Sequence, residues 1–79
     1  MPKAYITRQD KLNNKLVALI YGKMKVMRIS QSVMADRLGV TQPAFAYKLR
    51  TKRFTFADLT TIFEVLDMQD DEILSVVRL

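Results

Sequence analysis

The stretch from Ser30 to Leu49, SQSVMADRLGVTQPAFAYKL, restricts the fold of this chain more than any other. Its residues spell two short helices with a sharp corner between them. Ser30 can accept a hydrogen bond from an otherwise orphan amide two or three residues on, which starts the first helix. Val33, Met34 and Leu38 recur at helical spacing, with Ala35 as the small residue among them. Gly39 supplies the positive φ that ends a helix at little cost, and the apolar Val40 after it suits a hydrophobic contact at the corner. Thr41 can cap a second helix, and Pro43 sits in its first turn, where a missing N–H loses nothing.

Two helices joined by a short Gly-containing turn form a helix-turn-helix. At Ser30-Gln31, Ala35, Leu38-Gly39-Val40-Thr41-Gln42 and Phe45 the chain resembles the Cro/lambda-repressor (XRE-type) DNA-binding proteins. The run Lys48-Leu49-Arg50-Thr51-Lys52-Arg53-Phe54-Thr55 resembles the KL-x-x-K-x-x-F-[ST] continuation of small phage-type repressors. The likeness extends from roughly Leu12 to Leu74, with Leu49 standing where many members carry Glu and Thr51 where many carry Gly. It implies an all-α bundle of about five short helices, a lambda-repressor-like domain spanning the whole chain.

In such proteins the second helix of the motif enters the major groove and shows its N-terminal residues to base edges. Phe45, Leu38 and Leu49 are expected to point inward. Gln42, Pro43, Ala46 and Tyr47 are then left on the outer face, with Ala44 at its margin. Gln42 is the leading base reader, because a Gln amide can pair with adenine N6 and N7. Ala44 and Ala46 suit thymine methyls or a close approach to the groove floor, and Tyr47 can reach a base or a phosphate. The resemblance implies that Gln31 touches a phosphate and braces Gln42. Ser32, Thr41, Lys48, Arg50, Thr51, Lys52 and Arg53 are the further candidates for phosphate contact, which fixes register rather than sequence.

The flanks read as helices too. Thr7 and Asp10 form a Thr-x-x-Asp capping box ahead of Leu12, Leu16, Leu19, Ile20 and Met24, so a first helix is expected to run to Lys25 or Met27. Its polar face, with Lys11, Lys15 and Lys25, is expected to meet solvent. Met24, Val26, Met27, Ile29 and Met34 are expected to fill the core rather than form a Met-rich binding surface. Thr55 and Asp58 repeat the capping signal before Leu59, Ile62, Phe63 and Leu66, giving a helix over 56–66, with Phe54 as a plug under the preceding loop. Asp70, Asp71 and Glu72 favour the positive end of a last helix. Its apolar residues Ile73, Val76, Val77 and Leu79 either seal the core or make a homodimer contact, which would suit a two-fold operator. Met1 to Ile6 reads as a tail, with Tyr5 and Ile6 folding back, or as a basic arm that follows DNA through Lys3.

Seventy-nine residues make one domain with a small core. Cys and His are both absent, which removes disulfides, thiol nucleophiles, the usual zinc ligands and the usual general base, so neither an enzyme nor a cofactor is expected. Nothing suggests a small-molecule ligand. No apolar run reaches the roughly 18–20 residues of a membrane span, and the expected setting is the cytoplasm. The net charge of +5 is unevenly spread: residues 1–29 carry +6, residues 47–53 carry +4, and the chain from Phe54 onward carries −5. A basic body with an acidic end suits a protein that lays one face on a polyanion. These features favour a sequence-specific duplex DNA-binding regulator acting by operator occupancy. The rival is a protein-interaction module on the same fold, an antirepressor or antitoxin, using Leu49, Phe54 and the apolar C-terminus.

Overall fold

The computed structural model describes residues 7 to 78, apart from the side chain of Val77. The expectations for Met1 to Ile6, including the Lys3 arm, and for Leu79 and the Val77 side chain lie outside the described residues. Five helices follow one another: α1 (Arg8–Met27), α2 (Gln31–Leu38), α3 (Gln42–Thr51), α4 (Phe56–Val65) and α5 (Asp70–Val77). α2 packs on both α3 and α4, and α5 packs on α1. Among the described residues no helix is long and apolar enough to cross a membrane.

Each helix starts where a polar side chain can satisfy an amide left free by the first turn. Thr7, Ser30, Thr41 and Thr55 accept from the backbone N–H three residues on, at 3.1, 3.2, 3.3 and 3.0 Å. Asp10 and Asp58 return the favour to the Thr7 and Thr55 amides, completing two capping boxes. At α5 the Gln69 amide donates to Glu72 Oε1 at 2.9 Å.

The stops are as regular as the starts. Arg28, Gly39, Lys52 and Asp67 take left-handed backbone conformations, with φ of 57°, 72°, 58° and 50°. In each case the next residue's N–H reaches back five positions: Ile29 to Met24, Val40 to Ala35, Arg53 to Lys48 and Met68 to Phe63, at 2.9–3.1 Å. This is the Schellman geometry, which recovers carbonyls that a helix end would otherwise orphan. Ile29, Val40 and Met68 then turn their apolar side chains against the core. Only one of the four corners has glycine, so three carry the left-handed strain of an L-residue, roughly 1–2 kcal/mol each.

One core joins Val17, Ile20 and Met24 of α1, Met34 and Ala35 of α2, Phe45 and Leu49 of α3, and Ile62, Leu66 and Met68 from α4 and its exit. Several expectations need correction. Val33 is 44% exposed, because Met34 and Ala35 take the inward positions of α2. Met24 and Met34 are buried, but Val26 and Met27 stand out in solvent at the end of α1. Val17 and Met68 are core residues that the spacing did not select.

α5 is held electrostatically as well as by packing. Lys15 Nζ donates to the Ser75 and Arg78 carbonyls at 2.9 and 3.3 Å, and Lys23 pairs with Glu72 at 3.2 Å. Lys15 is therefore not merely a solvent-facing charge: it lies at the negative end of α5, where a cation is favoured. Val76 is 7% exposed and Ile73 packs against the core, so among the described side chains of α5 the outward apolar one is Leu74.

A Cβ placed on Gly39 would meet no atom within 4 Å, so substitution there costs backbone conformation alone. Gly39→Ala is expected to lower stability by about 1 kcal/mol, after the gain from a stiffer unfolded chain is subtracted. Arg28→Gly, at an exposed left-handed corner, is expected to raise it by about 1 kcal/mol on the same balance. Urea unfolding of both variants checks the opposite signs.

Candidate nucleic-acid interface

α3 is oriented by its two buried residues. Phe45 is fully buried and Leu49 nearly so, which turns the opposite side of the helix outward. Gln42, Pro43, Tyr47 and Arg50 are exposed, while Ala44 and Ala46 are half-buried. Phe54 packs its ring against Phe45 at 6.4 Å between centroids and a 55° tilt, closing the core beneath the loop that follows α3.

At the N-terminal end of this face, Gln42 Nε2 donates to Gln31 Oε1 at 3.1 Å. The two amides bridge the starts of α2 and α3, which is the brace that the family resemblance implies. Ser32 is exposed one position along α2. Thr41 spends its hydroxyl oxygen on the Ala44 amide.

The C-terminal end holds most of the candidate cations, and their settings differ. The Arg50 guanidinium lies over the Tyr47 ring, 5.2 Å from its centroid, so these two side chains form one stacked unit. Lys52 Nζ donates to Asn14 Oδ1 of α1 at 2.6 Å, and Arg53 is exposed at the corner. The Thr51 hydroxyl donates to the Tyr47 carbonyl at 2.8 Å. Lys48 is tied to Asp58 at 2.8 Å, with both side chains largely covered. Its charge is therefore matched within the protein by Asp58.

Asp58 holds two elements together, since its Oδ2 also accepts from the Thr55 amide at 3.0 Å. Burial acts to raise its pKa, but the Lys48 ammonium and the Thr55 amide outweigh burial and hold it below the ordinary carboxylate value. Sequence reading identified Asp58 only as a cap. Its pairing with Lys48, like that of Lys52 with Asn14, joins separate helices and leaves no local signature.

Beside α3 runs an open cleft of about 730 Å³, lined by residues of α1, α3 and the loop to α4, among them Gln9, Asn13, Tyr47, Lys52 and Arg53. Among the described residues no group of three His, Cys, Asp or Glu side chains is placed to hold a metal ion.

Because Asp58 is more acidic in the folded chain than unfolded, its contribution to stability is fully present above the unfolded pKa. It is lost as pH falls through the folded value. Replacing Asp58 by Asn is expected to lower stability at neutral pH and to flatten the acid limb of the stability profile. Thermal melts from pH 7 down through the carboxylate range would check this, and an unchanged acid limb would refute the assignment.

Comparisons with protein-family models, with curated proteins and with solved structures gave no match to this chain.

Proposed function

We propose that this chain is a sequence-specific, double-stranded DNA-binding protein of the helix-turn-helix class, similar to Cro and the lambda-type repressors. In this reading α2 and α3 form the motif, and α3 enters the major groove. The observation that carries the proposal is the outward set Gln42, Pro43 and Tyr47 on α3, held by buried Phe45 and Leu49 and bridged at its start by Gln31.

Gln42 is the base reader. With its Nε2 engaged by Gln31, the Oε1 of Gln42 stays available to accept from an adenine N6 amine, and Gln31 fixes the plane of the amide. Ala46 and Ala44 keep the helix slim enough to seat deeply, and Pro43 and Tyr47 add surface against base edges or sugars. Gln31, Ser32, Lys52 and Arg53 grip the strands, and the Arg50–Tyr47 stack stands between the two kinds of contact. Binding draws its affinity from released counterions and its selectivity from the groove.

The regulatory outcome is occupancy of an operator, which excludes polymerase sterically. A homodimer on a two-fold site suits this role, and one built on α5 would use the face bearing Leu74. The rival reading, a protein-interaction module, loses two of its named residues: Leu49 is buried and Phe54 packs on Phe45.

Selection of bound duplexes from a random pool gives the site. On that site Gln42→Ala is expected to cost about 1–3 kcal/mol and to relax preference at one position. Arg53→Ala is expected to weaken every sequence alike and to reduce the slope of log affinity against log salt by about 0.9. If wild-type protein binds no duplex with a salt-dependent affinity, the reading is wrong.

A further inference from the structure

The cleft beside α3 has a composition that the proposed groove contacts leave unexplained. A second open recess, about 290 Å³, adjoins it and shares Asn13, Thr51 and Lys52. Together they form a trough between the first turns of α1 and the C-terminal corner of α3. Three side-chain amides line its α1 wall: Gln9 and Asn13, 3.5 Å apart, and Asn14, which accepts from Lys52 at 2.6 Å. Lys52 and Arg53 supply positive charge on the opposite wall. Asp10 is the acid on the rim, and its carboxylate already accepts from the Thr7 amide.

Amides donate as well as accept, and with neighbouring cations they suit an anion that is neither strongly dehydrated nor chelated. The position of the trough narrows the choice. α3 is ten residues long, so its ends lie about 15 Å apart, against a major groove about 12 Å wide. Longer than the groove is wide, a helix seated by its N-terminal residues carries its C-terminal end out to the groove's rim, beside a strand. Gln31 and Ser32 attend the N-terminal end of α3, and the trough attends the C-terminal end.

We infer that this trough, through Gln9, Asn13 and Asn14 of α1 together with Lys52 and Arg53, is a second phosphodiester track that seats the strand on the far side of the groove. It rests on the duplex-binding reading and adds α1 to the interface. On contact Asn14 releases Lys52 to a phosphate, while Gln9 and Asn13 turn their NH₂ groups to the same strand. α1 thereby sets the angle of α3 in the groove without touching a base.

The test adds charge rather than removing it, so that weakened folding cannot imitate the result. Asn13→Lys places a cation in the trough. Val26→Lys places one at the far end of α1, where Val26 is 79% exposed, about 20 Å away along the helix. Both are titrated against a random-sequence 30-base-pair duplex and against the selected site, over a range of salt. Asn13→Lys is expected to steepen the salt slope by about 0.9 on both duplexes, to tighten binding about fivefold to tenfold at 0.1 M salt, and to leave the ratio between them unchanged. Val26→Lys is expected to move the slope by much less. If wild-type protein binds duplex but Asn13→Lys leaves the slope unchanged, or changes it no more than Val26→Lys does, the trough is not a strand contact and the duplex reading stands. If wild-type protein binds no duplex, both fall together.

Discussion

Burial of the Phe45 ring governs this structure. Phe45 is fully enclosed with Met34, Ile62 and Leu66 in one core, and Leu49 lies one turn further along the same helix. Removing an aromatic from such a site costs roughly 3–5 kcal/mol, a large fraction of what a domain this small can hold in reserve. Two inward side chains one turn apart fix both the position and the rotation of α3. Everything outward on that helix, from Gln42 to Arg50, takes its direction from them.

The helices are kept short by backbone chemistry at their ends. A threonine, serine or glutamine begins each one, and a left-handed residue ends four of them. The Schellman bond then throws the following residue back against the protein, which is how Ile29, Val40 and Met68 join or flank the core. At the corner after α3 the corresponding residue is Arg53, and it stays in solvent. The same backbone device that seals the core elsewhere presents a cation here, at the edge of the proposed groove face.

Charge is divided between holding the molecule together and facing outward. Lys15 and Lys23 lie eight residues apart on α1 and grip the two ends of the antiparallel α5, one through carbonyls and the other through Glu72. Lys48 joins α3 to α4 through Asp58. Part of the basic excess is thus spent on the acidic C-terminal quarter. Arg50, Lys52 and Arg53 remain near the C-terminal end of α3, bound only by a ring contact or a neutral amide where they are bound at all among the described residues.

Much of the fold was legible in the residues because its determinants are local. Capping side chains act over three positions, glycine acts at its own, and apolar spacing acts over one turn. This is why the starts at Thr7, Ser30, Thr41 and Thr55, the stop at Gly39 and the inward turn of Phe45 all followed from the letters. The Gln31–Gln42 bridge was legible too, though through family likeness rather than spacing. What only the tertiary structure decided was the competition for partners. Val33 and Val26 are as apolar as their buried neighbours, yet α2 and α1 each have one face against the core, and these two residues are on the other. Lys48, Lys15 and Lys52 look alike in sequence; one faces a carboxylate, one a helix end and one an amide. Those outcomes depend on which helices pack side by side, and no local pattern carries that information.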